Sequence, residues 1–185
     1  MKSKVIIETS RTSLMMLGPN DASLMVEYYC RNKQHLAQWE PKREPDFYGV
    51  GHWKAALIES YMMYEAGSAL KLVALNKERS EVIGVCNFTN IIGGIFQACN
   101  LGYGLSEKYQ GQGYMQEILE ASIEHMFSKL GLHRIMANYI PTNLRSEALL
   151  TRLGFEKEGL AKSYLKINGK WQDHILTAKV NHAQD

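Results

Sequence analysis

The most informative residues are those at 105–115, which read Leu-Ser-Glu-Lys-Tyr-Gln-Gly-Gln-Gly-Tyr-Met. Gly111 and Gly113 stand just before a segment with apolar residues at 115, 118, 119, 123, 126, 127 and 130. That is the 3.6-residue period of a helix buried on one face. A helix leaves up to four amides unsatisfied at its N-terminus. No Ser, Thr, Asp or Asn sits immediately before this one to cap them, and glycine has no side chain to obstruct approach. Free amides at the positive end of a helix dipole make an anion site, and a phosphate or pyrophosphate is its natural ligand. A tight turn would use the same two glycines, so on the glycines alone both readings stay open. The dinucleotide fingerprint Gly-x-Gly-x-x-Gly is not met, because Gln116 takes the third glycine position, and a Walker A motif is absent.

Other reactive groups are scattered. No His, Cys or carboxylate cluster has metal-ligand spacing, so no metal is expected. Cys30, Cys86 and Cys99 cannot all pair and show no Cys-x-x-Cys spacing, which reads as buried thiols in a reducing compartment. His125 falls off the apolar face of its helix and reads as surface. His133 opens a strand and reads as packing or capping.

These groups need a scaffold, and the pattern supplies one. Strands are expected at 12–17, 70–75, 82–91, 97–105, 134–139, 155–167 and 171–180. Helices are expected at about 19–31, with Asn20 or Asp21 as N-cap, and at 33–38, 51–65, 113–130 and 143–153. Asn168-Gly169 between the last two strands is a type I′ turn signal. Three consecutive central strands imply antiparallel pairing, and the later strand-helix-strand unit implies a parallel pair. The expected fold class is α/β (α+β): a mixed, mostly antiparallel seven-stranded sheet flanked by helices.

The chain has 185 residues, about the length of one domain. Apolar residues are 45% and charged residues 22%, a globular balance that excludes disorder for the bulk. Net charge is only +2, with no basic stripe, so direct DNA binding is not expected. Residues 82–106 carry no charge but contain five Gly and three Asn, which reads as two buried strands with a turn at Gly93-Gly94, not a membrane span. No signal peptide fits the N-terminus. A soluble, cytoplasmic protein without membrane association is expected.

Several segments, in this order, carry a resemblance. They are Gln110-Gly111-Gln112-Gly113-Tyr114-Met115, then 133–139 (His-Arg-Ile-Met-Ala-Asn-Tyr), then Asn143 with Ser146, then 153–159 (Leu-Gly-Phe-Glu-Lys-Glu-Gly), then 169–174 (Gly-Lys-Trp-Gln-Asp-His). Together they resemble the GNAT superfamily of N-acetyltransferases, whose pyrophosphate signature is Gln/Arg-x-x-Gly-x-Gly/Ala. Met115 departs from the last position and is similar to the Rim-type branch, which modifies protein N-termini. The resemblance runs from Arg11 to about Lys179.

It implies one N-acetyltransferase domain over 1–185, with its core at about 11–180. It implies acetyl-CoA as co-substrate, lying between splayed strands at 97–105 and 134–139. The pantetheine arm would pair with backbone at Leu101, Gly102, Tyr103 and Leu105, and the pyrophosphate with amides from Gln110 to Met115. Asn138 and Asn143 join this cofactor-binding set. A backbone amide near Leu101 or Gly102 would serve the oxyanion. Many family members place a Tyr acid where this chain has Leu150, so Ser146, with Asn143, becomes the candidate catalytic pair. Read without the resemblance, Asn143 is an N-cap and Ser146 an ordinary first-turn residue. A Glu base of some Rim-type relatives is replaced by Asn100. Tyr103, Asp173, Glu65 and His174 stay open as bases, with hairpin structure the plainer reading of Asp173 and His174. The acceptor would enter between the N-terminal helices and the final hairpin, past Trp39, Trp53, Tyr61, Tyr164 and Trp171, of which at least half are expected in the core. The implied activity is acetylation of the α-amine, that of alanine, on a ribosomal protein or pre-ribosomal particle, by direct attack in a ternary complex. The chain would act as a monomer or homodimer. Two alternatives stay open: an acetyltransferase for a small-molecule amine or polyamine, and a CoA-binding ribosome-assembly factor with little catalysis.

Overall fold

In the computed structural model, which describes residues 1–184, the strands are Lys4–Glu8 (β1), Ser13–Met16 (β2), Leu70–Leu75 (β3), Val82–Ile92 (β4), Ala98–Leu105 (β5), Arg134–Met136 (β6), Glu156–Ile167 (β7) and Lys170–Val180 (β8). The α-helices are Ala22–Arg31 (α1), Lys33–Leu36 (α2), Val50–Glu65 (α3), Tyr114–Ser128 (α4) and Leu144–Arg152 (α5). Apolar residues at successive positions of the central strands send side chains to both faces. Leu14, Leu72, Ala74, Cys86 and Phe88 pack with α4 and α5 on one face, whereas Met15, Val73, Leu75 and Val85 pack with α1 and α3 on the other. Burial on both faces holds the middle of the sheet flat against its helices and makes a rigid platform for the strand edges beyond it.

The sheet has eight strands in the order β1-β2-β3-β4-β5-β6-β8-β7. The sequence pattern leads to seven, and the additional one is β1. Its three apolar residues are too few to declare a strand alone, but its backbone pairs with β2 from Lys4↔Met16 to Glu8↔Ser13. Distant contacts also hold the segment: Tyr61 donates to Lys2 O at 3.1 Å, and the Gly18 amide donates to Ser3 Oγ at 2.7 Å. Neither Asn20 nor Asp21 caps α1 through its side chain. The Asp21 carboxylate instead accepts from the Ser3 hydroxyl.

Every neighbouring pair is antiparallel except β5 and β6. Those two pair only at Ala98↔Arg134, Cys99↔Ile135 and Asn100↔Met136. Beyond Met136 the chain turns to β8 alone, with Ala137 N donating to Thr177 O and Tyr139 N to Ile175 O. The strand expected at 134–139 is therefore short, and the side of β5 from Leu101 onward that faces away from β4 is left open. The final hairpin closes as expected, with Asn168 and Gly169 both at positive φ (45° and 79°). Residues 82–106 form β4 and β5, and no helix among the described residues is long and apolar enough to cross a membrane.

Candidate active site

The anion turn is built largely by backbone. After the single 3-10 turn Glu107–Tyr109, Gly111 and Gly113 take left-handed conformations (φ 72° and 77°) that let the chain reverse into α4. The amides from Gly111 through Gln116 have no acceptor among the described residues, and no side chain caps α4. They converge at a helix N-terminus, the arrangement that binds an anion. The tight-turn reading of the two glycines also holds, because their positive φ angles are what aim those amides outward.

Side chains far away in sequence hold this turn, and the sequence reading missed them. Arg11, at the β1–β2 corner, donates from Nη1 to Gln112 O at 2.9 Å, and its guanidinium lies 4.0 Å from the Tyr114 ring centre. The same Arg11 pairs with Glu117 in the first turn of α4. Burial pushes the Glu117 carboxyl up, but hydrogen bonds from Thr9, Arg11 and Ser10 outweigh it and hold the group at about 2. Buried Asn32 accepts from the Glu107 amide at 2.9 Å and from Ser106 Oγ at 3.1 Å. Gln110 is bracketed by His35 of α2 on one side and Arg145 of α5 on the other. An arginine at a corner or in a first turn is too common a pattern to single out, so only packing reveals these partners.

The pair expected from the resemblance lies where β5 and β6 part. Tyr103, on β5, shares a hydrogen bond with the Ser146 hydroxyl of α5. Asn143 Oδ1 accepts from the Ser146 amide at 3.1 Å, so Asn143 is the N-cap of α5. The cap and the hydroxyl pair are one construction: the cap orients the first turn, and the first turn presents Ser146 to the strand. Burial pushes the Tyr103 phenol up to about 12, with the Ser146 bond opposing it. Tyr103 therefore stays a neutral phenol at physiological pH. Leu150 is 1% exposed in the core, so no acid stands there. Asn100 is the last β5 residue paired with β6 and carries no carboxylate.

The other base candidates separate. The Asp173 carboxylate accepts from the Ser163 amide at 2.8 Å and supports the hairpin. His174 is buried, with Nδ1 donating to Gln172 O at 3.0 Å. Glu65 is exposed at the C-terminal end of α3, and its carboxylate makes no hydrogen bond or ion pair among the described residues. Asn138 is engaged on both ends, with Oδ1 accepting from Thr177 N at 3.2 Å and Nδ2 lying 3.4 Å from the Tyr164 hydroxyl. Among the described residues no group of three or more His, Cys, Asp or Glu is placed to hold a metal ion. Cys86 and Cys99 are buried as expected, but Cys30 is exposed, because it lies on the outward side of α1.

An opening of about 300 Å³ lies between Gln38 and Trp39, the segment at Ile140 and Thr142, and the hairpin residues Ile167, Asn168, Lys170 and Gln172. Its wall is tied shut by the Asn168 amide, which donates to Glu40 O at 2.9 Å. Of the five aromatics expected at the entrance, Trp39 lines it and Tyr164 reaches Asn138. Trp53 stacks on Tyr29 in the core, Tyr61 packs against the core, and Trp171 is 63% exposed on the hairpin, outside the lining.

Comparison with known proteins matches this geometry. A model of the acetyltransferase (GNAT) domain matches residues 11–156. The [ribosomal protein uS5]-alanine N-acetyltransferase of Escherichia coli K12 is 44% identical over 175 residues, covering 95% of this chain and 90% of that protein. The crystal structure of ribosomal-protein-S5-alanine acetyltransferase from Vibrio fischeri superposes with a TM-score of 0.93 at 40% identity, over 98% of this chain and 100% of that one. RimJ of Mycobacterium smegmatis, solved in complex with CoA-disulfide, gives a TM-score of 0.90 at 26% identity, over 99% of this chain and 91% of that one. The chain thus shares its fold over nearly its whole length with these enzymes, and it belongs to the GNAT family of acetyltransferases.

Proposed function

We propose that this chain is an N-terminal protein acetyltransferase that moves an acetyl group from acetyl-CoA to the α-amine of alanine at the start of a ribosomal protein. The observation that carries this reading is the parting of β5 and β6 after three residue pairs, which opens one side of Leu101, Gly102, Tyr103 and Leu105. The free amides from Gly111 to Gln116 continue that edge. An amide-bearing arm fits the strand edge, since open backbone groups need partners. A pyrophosphate fits the helix N-terminus. Acetyl-CoA supplies an activated acyl group as a thioester.

The residues divide the work. The amides of Gly111, Gln112, Gly113, Tyr114 and Met115 hold the pyrophosphate, with Gln110, His35 and Arg145 beside it. Leu101 and Gly102 present backbone to the acyl carbonyl and its developing oxyanion. Ser146, oriented by the Asn143 cap and by Tyr103, donates a proton to the departing sulfur. The acceptor amine enters by direct attack while both substrates are bound. Its nitrogen bonds to the acyl carbon, the carbon–sulfur bond breaks, the sulfur takes the Ser146 proton, and the amine proton passes to water, which returns a proton to Ser146. An α-amine titrates at about 7.7–8.0, against about 10.4 for lysine, so the reaction asks little of a base. Positioning then supplies most of the rate.

The relatives named for uS5-alanine acetylation support a ribosomal acceptor, free or in a pre-ribosomal particle. The lining of the opening supports a peptide over a polyamine. Its residues are Gln38, Trp39, Ile140, Thr142, Ile167, Asn168, Lys170 and Gln172, with one cation and no carboxylate to receive a second ammonium. The test incubates the protein with acetyl-CoA and a peptide that begins with Ala and carries one internal Lys. Fragmentation mass spectrometry locates the acetyl group. The expected product carries it on the terminal amine alone. Acetylation at Lys, or CoA binding without acetylation, overturns the reading.

A further inference from the structure

The hairpin contains an irregularity that the proposed chemistry does not use. Ala161 pairs with His174 and Leu165 with Gln172, so Lys162, Ser163 and Tyr164 all stand opposite Asp173. Extra residues on one strand re-aim a side chain. Ser163 is left-handed (φ 48°), a costly conformation for a non-glycine residue that persists only when its surroundings impose it. Asp173 imposes it by accepting the Ser163 amide at 2.8 Å.

The bulge aims Tyr164. Its ring lies against His174, with ring centres 5.6 Å apart, and its hydroxyl oxygen lies 3.4 Å from Asn138 Nδ2. On β8, His174 is two residues from Gln172 and so shares a strand face with a residue that lines the 300 Å³ opening. Asn138 also follows directly on the point where β6 leaves β5. The Tyr164 hydroxyl therefore stands beside the segment where the strands part, and its chain neighbour Leu165 pairs with Gln172 in the wall of the opening. It remains 42% exposed.

A phenolic hydroxyl has one hydrogen to donate and two lone pairs. Asn138 takes one lone pair, leaving one acceptor site and one donor. A peptide N-terminus presents the complement: an amine N–H and, one carbon away, a carbonyl oxygen. We propose that Tyr164 is the residue that selects an α-amine, its oxygen accepting an N–H from the acceptor amine while its hydroxyl donates to the acceptor's first carbonyl. A lysine side chain has no carbonyl beside its amine and cannot satisfy both. Asp173 acts through Tyr164 as a positioning residue. This inference rests on the acetyltransferase reading and names how its acceptor is recognised.

The experiment compares two peptides, one beginning with Ala and the other with β-alanine, which inserts one carbon between amine and carbonyl. For the native protein kcat/KM should favour Ala by about 30-fold, the scale of leaving a buried polar group unmatched. Tyr164→Phe should lower kcat/KM for the Ala peptide by about 30-fold and leave the β-alanine peptide within about 3-fold, so the preference collapses. Its affinity for CoA, read by calorimetry, should stay native. Asp173→Ala should reproduce this loss of preference, and Asp173→Asn, which keeps an oxygen for the Ser163 amide, should restore it. A preference that survives in Tyr164→Phe overturns the inference, as does a loss of CoA affinity in step with activity. A native protein that acetylates both peptides equally overturns the inference and leaves the acetyltransferase reading standing. A native protein that acetylates neither overturns both.

Discussion

The proposed cofactor side and the proposed acceptor side of the site are built in different ways. On the cofactor side, β5, the turn at 106–113 and α4 follow one another in sequence, and the working groups are mostly backbone amides. On the acceptor side, the wall is assembled from Gln38 and Trp39, from Ile140 and Thr142, and from the tip of the final hairpin. Its working groups are side chains. A backbone-made site needs only a local conformation, which a few glycines can encode. A side-chain site needs three segments brought together by the whole fold, so it is free to differ between proteins that share the cofactor. The hydroxyl pair proposed to react sits on the seam between them: Tyr103 belongs to the first region and Ser146 to a helix beyond both.

The contrast can be broken most sharply at the turn. Gly113→Val puts a β-branched residue at φ 77° and aims the amides away from one another. Affinity for CoA, measured by calorimetry, should fall by about 100-fold or more while the core remains folded. Survival of binding would mean that the anion site lies elsewhere.

At the seam the effect should fall on turnover. Ser146→Ala should lower kcat by about 100-fold, the scale of a lost general acid, with CoA affinity within about 3-fold of native. Tyr103→Phe should act through Ser146, so the double variant should be little worse than Ser146→Ala alone. Stopped-flow thiol release with a double-mutant cycle checks this, and fully additive losses would separate the two hydroxyls.

On the acceptor side Trp39→Ala should raise KM for the peptide by about 10-fold, a typical loss for an aromatic lining residue, without moving KM for acetyl-CoA. A rise in both would show that the two regions are not independent.

The smallest effect concerns pH. Glu117 titrates at about 2 in the folded chain, below the ordinary carboxylate value of about 4.3. Its tie to Arg11 therefore contributes fully above about pH 4.3 and is lost as pH falls toward 2. Melting temperatures of the native protein and of Glu117→Gln should differ at neutral pH and converge over that acid range. A difference that persists at pH 2 would assign the effect to packing instead.

Much of the fold is legible in the amino-acid sequence. The apolar period at 115–127, the Asn168-Gly169 turn and the charge-free run at 82–106 are local signals, and each corresponds to an element. The anion turn is legible for the same reason. Leu150 and Asn100 mark familiar catalytic positions as empty, but where the acid stands instead rests on resemblance. Less local features are hidden. β1 forms because β2 offers it a backbone edge, not because three apolar residues demand a strand. β6 is short because the segment after Met136 stays paired to β8 while diverging from β5, which is set by packing and not by local pattern. The bulge at 162–164 is invisible in an alternation pattern, because it depends on which residue of β8 stands opposite.

Local signals in the chain account for the kind of elements, the place of the glycine turn with its free amides, and the family. These follow from helix period, glycine conformation and motif order, which act over a few residues. Only the tertiary structure decided that β5 and β6 part after three pairs, that Tyr103 meets Ser146, that Arg11 braces the turn, and that Tyr164 faces Asn138. Each of these joins residues far apart in the chain, and their meeting is set by burial of the two cores rather than by any preference the residues carry alone.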